Sequence, residues 1–393
     1  MTTRPWSRLL GLAAAFAVAG LGGADAQTVR GVTDTEIVVG TVTDLSGVTA
    51  VQGVNNANAI RLVFEDLNAA GGVHGRKIHY IVEDSQYQVP RAVQAINKLI
   101  NNDNVFFTIQ DGGTPMNNAT FPMAIEKNVP KLLPLSPARS MYEPFHRLKF
   151  SQFSSYVDQM RAGVNFFVSQ RGKKTICAMY QETDFGKDVL AGTTMQAEAM
   201  GQKVVATTAH KPTDTDFTAS VTKLRDAKCD LIILGTIVRD TTLIIGTAKK
   251  MGWDVDFLGQ LATYDTAIAT APGNVGEGFY SMAPSLYAYP DDPRPAVQEL
   301  AKKYKAKYGF EINYLGQAGY TSAQIAIEAL RRAGRNLTLD SLIAAMESIK
   351  DYQDIFGASY TFSATDHHGA TKAFLSVVKD GRWVPVSTEP LGY

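Results

Sequence analysis

Cysteine is nearly absent: Cys177 and Cys229 are the two among 393 residues. Two thiols exclude a disulfide-built scaffold. Each sits in or beside an apolar, strand-like run ("TICAMY" and "CDLIILG"), which points to buried free thiols rather than a bridge. An excess of one charge is also missing. Lys plus Arg number 38 and Asp plus Glu number 38, so no broad basic surface is available for nucleic acid or anionic lipid. Enzyme motifs are missing too. "GTVTDLSGVTAVQG" has the wrong spacing for G-x-G-x-x-G, no G-x-x-x-x-G-K-[ST] occurs, and C-x-x-C, H-E-x-x-H and G-x-S-x-G are absent. The six histidines are scattered, and His367–His368, adjacent rather than at ligand spacing, reads as a solvated turn. Neither a cofactor nor a metal is expected, and binding without reaction leads.

Long apolar runs are confined to the N-terminus. Arg4 and Arg8 precede "LLGLAAAFAVAGLGG", which ends in the small-residue sequence "ADA". A basic start, a short apolar core and an A-x-A site make residues 1–26 a secretory signal peptide cleaved near Ala26. The competing role, an anchor helix, needs a longer and less glycine-broken core. No cysteine follows the site to carry a lipid. The expected location is the periplasm, and the remaining length favours two domains.

What is present is an alternation of strand and helix. "EIVVGTVTDL" reads as a buried strand, then comes a helix over about 55–69, the strand "KIHYIVED", a helix over 90–101 and the strand "VFFTIQ". A helix over 117–127 and the short strand "KLLPLS" complete a doubly wound α/β unit. The rhythm restarts with helices over 156–171, 186–200, 217–227 and 240–252, interleaved with "KTICAMYQE", "QKVVATTAH", "CDLIILGTI" and "VDFLGQL". Helices over 295–308, 316–333 and 339–349 follow. "KAFLSVVKDGRWVPV" reads as a hairpin turning at Lys379–Asp380–Gly381.

The stretch "IQDGGTPMNN" (109–118) ends a strand in small polar residues, which is where α/β proteins bind ligands. Clustered N–H donors with a hydroxyl stabilise an anion, and small side chains let it reach the backbone. The competing role is a helix-entry turn with Thr114 as N-cap and Pro115 in the first turn.

"TVTDLSGVTAVQG" and "LNAAGGVHG", then "EDSQYQVP", "QETDFGKDVLAG", "AKKMGW" and "GFYSMAPSLY", resemble in order the periplasmic leucine/isoleucine/valine-binding proteins. These are the type I substrate-binding components of ABC importers. The resemblance implies two Rossmann-like lobes joined by three crossovers, here 27–149 plus 284–350 and 150–283 plus 351–393. It implies a solute trapped between the lobes, a membrane permease as partner, and a monomer. It places ligand contacts at Leu45 to Gln52, at Gly113 and Thr114, and in "LSPARS" at Ser136, Ala138 and Ser140, together gripping a carboxylate.

Amino-acid binders of this family also neutralise an ammonium with an acid from the second lobe. At the matching places stand Tyr156 and Ala262, with Asp158 or Asp265 two residues away. Arg139 and Arg239 are candidate bidentate partners for an acid. Tyr156, Phe185 and Tyr264 are candidates for an aromatic wall, with core packing as the competing role of Phe185. The reading is a carrier of an aromatic or branched carboxylate. The alternatives are an amino-acid carrier of the same family, a sensory binding protein, and a secreted α/β enzyme acting on a small carboxylate.

Overall fold

Strand β1 (Glu36–Thr43) reads EIVVGTVT and is buried along nearly its whole length. A strand with no solvent face needs cover on both sides, which a parallel sheet between helices supplies. The computed structural model describes residues 1–3 and 29–393, so the expected signal peptide lies almost wholly outside the described residues.

Around β1 the chain alternates: α1 (Ala50–Ala69), β2 (Lys77–Asp84), α2 (Val89–Asn101), β3 (Phe107–Ile109), α3 (Thr114–Glu126), β4 (Lys131–Leu132) and β5 (Lys149–Phe150). These strands pair in the parallel order β2-β1-β3-β4-β5. Strand order reverses beside β1, and open sheets of this kind form a crevice at the carboxyl ends of the strands there. Helix α1 starts five residues before the expected Asn55. Gly53 belongs to it because a Cβ there would lie 1.9 Å from the Asp44 carbonyl oxygen.

The second lobe opens with α4 (Tyr156–Arg171). The Ser155 Oγ accepts the Asp158 N–H at 3.0 Å, and Gly172 ends the helix at φ 66°. Then follow β6 (Ile176–Gln181), α5 (Asp184–Ala199), β7 (Val204–His210), α6 (Thr218–Asp226) and β8 (Leu231–Gly235). After them come α7 (Val238–Lys250), β9 (Asp256–Gly259), α8 (Thr266–Ala269) and β10 (Tyr280–Ala283). The chain then returns to the first lobe with α9 (Pro295–Tyr308), α10 (Tyr314–Ala333) and α11 (Leu339–Glu347). Ile327, Leu330 and Met346 bury with Ile60 and Phe64 of α1.

The small hairpin β11 (Tyr352–Gln353) and β12 (Ser359–Tyr360) stays there, because Tyr360 and Phe362 bury in the same cluster. Only β13 (Phe374–Lys379) and β14 (Arg382–Pro385) rejoin the second sheet, ordered β14-β13-β10-β9-β8-β6-β7. The third crossover therefore lies just before Phe374 rather than at the expected 350–351. The last hairpin turns through Asp380 and Gly381, both left-handed at φ 52° and 74°.

His367 and His368 are buried, not solvated. The His367 ring stacks on Phe150 at 3.7 Å and its Nδ1 lies 2.7 Å from the Lys149 carbonyl. His368 stacks on Tyr142 at 4.0 Å, with Nε2 2.7 Å from the Phe153 carbonyl. The cause is local pairing: the Ser151 N–H donates to the His367 carbonyl and the Gly369 N–H to the Ser151 carbonyl. The first and third crossovers thus run side by side.

The two cysteines are bonded to each other, against the expectation of free thiols. Cys177 enters β6 and Cys229 immediately precedes β8. These strands are neighbours, which brings the Cα atoms to 5.9 Å. A separation of 52 residues carries no sign of that adjacency. Closing a loop of this length restricts the unfolded chain, by about 2–4 kcal/mol in typical cases. Reduction, or Cys177→Ala with Cys229→Ala, should therefore lower the urea midpoint by a matching amount. Solute affinity should stay within about twofold, since the bridge lies at the end of the strands away from the crevice. An unchanged midpoint would remove the bridge from the list of stabilising elements.

Candidate functional site

The loop after β3 is held from behind by Asp111. Its Oδ1 accepts the Val42 N–H at 2.8 Å, and its Oδ2 accepts the Thr108 hydroxyl at 2.7 Å and lies 3.0 Å from Lys131 Nζ. Two glycines follow because nothing larger fits. A Cβ on Gly112 would stand 2.7 Å from Thr43 Oγ1, and one on Gly113, at φ 83°, 2.1 Å from Met116 Cε. Gly113 is the N-cap of α3 and Thr114 is its first residue, so Thr114 is not the cap. The Thr114 hydroxyl instead meets Ser136 Oγ at 2.7 Å. The Gly112 N–H donates to the Val42 carbonyl and the Gly113 N–H to the Leu135 carbonyl. The Thr114 amide has no hydrogen-bond acceptor among the described residues. It is a free donor at the positive end of α3, as, among the described residues, is the Met116 amide beyond Pro115.

In front of this loop the two lobes enclose a cavity of about 50 Å³, counted as space open to the centre of a water-sized sphere. The first lobe lines it with Thr43, Asp44, Thr49 and Gln52, with Tyr87, and with Gly112, Gly113 and Thr114. The second lobe contributes Tyr156, Phe185, Ile237, Leu261 and Ala262. The Tyr156 and Phe185 rings lie 5.1 Å apart, and both face the cavity. The first lobe supplies the polar side chains, together with Leu135, Pro137 and Leu315, and the second lobe's share is apolar and aromatic.

Six of the twelve nominated residues line this cavity: Gln52, Gly113, Thr114, Tyr156, Phe185 and Ala262. The other six do not. Ser136 stands behind Thr114, its Oγ accepting the Ala138 N–H at 3.3 Å, and Ala138 is buried in the apolar core. The Ser140 carbonyl accepts from Lys149 Nζ at 3.2 Å, and Leu135 and Pro137 are the residues of that loop that reach the cavity. Arg139 faces Asp188, with Nε 3.8 Å from Oδ1. Arg239 is spent on Asp240 Oδ1 and the carbonyls of Pro212 and Asp214. Tyr264 is a core residue: its hydroxyl meets Ser376 Oγ at 3.0 Å and its ring lies 4.7 Å from Trp383.

The acids held in reserve do not reach the cavity either. Asp158 accepts from Ser155 Oγ and the Tyr393 hydroxyl. Asp265 caps α8 and accepts from Asn313 Nδ2 at 2.8 Å; burial raises its carboxyl above the usual range. Among the described residues the one carboxylate on the cavity wall is Asp44, and no Lys or Arg joins it. Its oxygens accept the N–H groups of Ser46, Gly47 and Thr49 and the Thr49 hydroxyl.

Tyr87 escaped notice in the sequence. Gln86 and Tyr87 are both left-handed, at φ 50° and 54°, a conformation that costs energy for side chains of this size. The position just past a strand end was the available signal. The Tyr87 hydroxyl crosses the cleft to Gln181 Oε1 at 3.1 Å, and burial keeps it protonated as a donor. Gln52 Nε2 likewise reaches the Ala262 carbonyl at 2.9 Å, and Asn118 Nδ2 reaches Asp184 at 2.8 Å. The cleft is closed.

The family model for periplasmic binding protein matches residues 36–382. The chain is 24% identical over 275 residues to a leucine-, isoleucine-, valine-, threonine- and alanine-binding protein of Pseudomonas aeruginosa, covering 70% of this chain and 72% of the relative. The fatty acid ABC transporter substrate-binding protein from Thermomonospora curvata superposes with a TM-score of 0.82 at 27% identity, over 92% of this chain and 94% of that one. A solute-binding protein from R. palustris in complex with benzoate gives 0.79 at 18% identity, over 91% and 97%. No helix among the described residues is long and apolar enough to cross a membrane. With the two lobes, the crossovers and the closed cleft between them, the match places the chain in the periplasmic binding protein family.

Proposed function

We propose that the protein carries a small carboxylate, aromatic or branched, to the permease of an ABC importer and releases it unchanged. The observation that carries this is the asymmetry of the cavity. A free amide and a hydroxyl at the start of α3 face a second-lobe wall of Tyr156, Phe185, Ile237, Leu261 and Ala262 with no acid in it. An anion gains charge-assisted hydrogen bonds from such donors. An ammonium would lose hydration against that wall and meet only Asp44, whose oxygens already accept four donors. The ligands named in the relatives (amino acids, a fatty acid, benzoate) share a carboxylate and differ in the rest. Asp44 is also the observation that favours the second reading, an amino-acid carrier.

Carriage follows from closure. A solute touching both lobes stabilises the closed form by its differential affinity for that form. A thermal-shift screen over amino, aromatic and aliphatic acids finds the class by mass action. Mass spectrometry should recover the bound solute intact, and product formed at turnover rates would turn the case to an enzyme.

Thr114→Ala should weaken solute binding by about 1.5–3 kcal/mol, roughly ten- to a hundredfold, by removing one charge-assisted hydrogen bond. Ser140→Ala, outside the cavity, should bind as the wild type does. Calorimetry that finds Thr114→Ala unimpaired moves the carboxylate elsewhere.

Matched pairs separate the two readings. 3-Phenylpropanoate should bind more tightly than phenylalanine, and 4-methylpentanoate more tightly than leucine, since a missing ionic partner in a closed cleft is worth several kcal/mol, on the order of 3–5. Tighter binding of both amino acids would hand the function to the second reading, with Asp44→Asn as the variant that abolishes it.

A further inference from the structure

Behind Tyr87, at the carboxyl ends of β6 and β7, lies a row of polar groups that the cavity does not use. Gln181 and His210 are register partners, and Thr208 sits two residues before His210 on the same face. Their side chains are buried, Gln181 at 0% and His210 at 4% exposure. Gln181 Nε2, His210 Nδ1 and Thr208 Oγ1 have no hydrogen-bond partner among the described residues. Leaving one buried polar group unpaired costs about 1–3 kcal/mol, so three together require a reason.

Their chemistry narrows what would satisfy them. Gln181 Oε1 accepts from the Tyr87 and Thr183 hydroxyls, which leaves its Nε2 as a spare donor. The Asp240 Oδ2 at 3.0 Å from His210 Nε2 favours the tautomer with its proton on that nitrogen, which presents Nδ1 as an acceptor. One spare donor beside one spare acceptor matches a hydroxyl, which accepts from the first and donates to the second. A carboxylate or a carbonyl satisfies only the donor, and a methyl satisfies neither.

We propose that Gln181 and His210 form a second, polar subsite of the cleft, which receives a hydroxyl at the far end of the carboxylate solute. The proposal rests on the carboxylate reading above and narrows it to hydroxylated acids. Tyr87 stands between the cavity and these groups. It lines the cavity with its ring and touches Gln181 with its hydroxyl, and its strained backbone holds it there. Tyr87 belongs to the first lobe and Gln181 to the second. Opening the lobes parts them and lays these groups open to the cavity, so a solute reaches them before Tyr87 closes on Gln181.

The test is calorimetry on the full chain with two series, benzoate and 3-phenylpropanoate. Each is compared with its ring-hydroxyl isomers and their methyl ethers. The expected result is one hydroxyl isomer at least tenfold tighter than both its parent and its methyl ether. In Gln181→Met, which also removes the acceptor of the Tyr87 hydroxyl and so weakens closure for every solute, the affinity ratio of hydroxyl isomer to parent should fall to about one. The methyl-ether comparison needs only the wild type, so the proposal stands or falls even if the variant does not fold. Parents that bind with no hydroxyl preference overturn the subsite alone and leave these groups to a buried water. A preference that survives Gln181→Met overturns it as well. If neither series binds, the subsite falls together with the carboxylate reading.

Discussion

The cleft depends on one buried ion pair, Asp111 with Lys131, 5% and 2% exposed at their side chains. Such a pair gains little net energy, because desolvation consumes most of the attraction. Burial pushes the Lys131 ammonium down from its usual range, and the Asp111 charge opposes that. Its value is geometric. The carboxylate ties the end of β1 through Val42 and β3 through Thr108, while Lys131 anchors β4 and donates to Thr120 of α3. The Asp111 carbonyl accepts from Leu135 N and from Asn117 Nδ2. Three strand ends and one helix start are thus set by a single residue. The Gly112–Thr114 turn follows directly, with the Gly112 and Gly113 amides bonded to Val42 and Leu135 and the Thr114 amide and hydroxyl set in place before any solute arrives. Preorganisation of this kind lowers the entropy lost on binding.

The second lobe is built by a different rule. Its share of the cavity wall is apolar and aromatic, and its direct polar contacts with the first lobe are few and specific. Gln52 meets the Ala262 carbonyl, Tyr87 meets Gln181, Asn118 meets Asp184, Asn313 meets Asp265 and the Arg139 amide meets Asp188. Each exchanges a water for a protein partner and nets little, about 0.5–1.5 kcal/mol. Bonds of this size leave the choice between closed and open forms within reach of a solute's differential affinity. The adjacent first and third crossovers, stitched at Ser151 and stacked through His367 and His368, give the rotation a fixed seam.

The alternation of strands and helices was legible because it rests on local signals. Ser155 and Gly172 bracket α4 where periodicity puts it, and Asp380–Gly381 marks the final turn. The failures share one cause, which is partnership across the chain. Arg139 and Arg239 look like free cations until Asp188 and Asp240 are seen beside them. Cys177 and Cys229 look like core thiols until β6 and β8 turn out to be neighbours. Tyr264 and Tyr87 are equally plausible wall residues in sequence. The first is drawn into the core by Trp383 and Ser376, and the second is thrust into the cleft by a left-handed loop. Periodicity reports which face is apolar, not which polar group lies opposite.

The division between the lobes also bears on how selection can work. On the carboxylate reading, donors fixed by Asp111 would recognise a group that many solutes share and supply affinity with little discrimination. The apolar wall adds area, and area separates solutes weakly, by about 0.8 kcal/mol for each methylene. Strong discrimination needs a buried polar group that one solute pairs and another leaves bare. Within the closed cleft such groups lie at Asp44, already satisfied by its own loop, and behind Tyr87 at Gln181 and His210, which are not satisfied. An unpaired group penalises every solute that fails to reach it. The groups that contribute least to holding the protein together are therefore the ones best placed to decide which solute closes it.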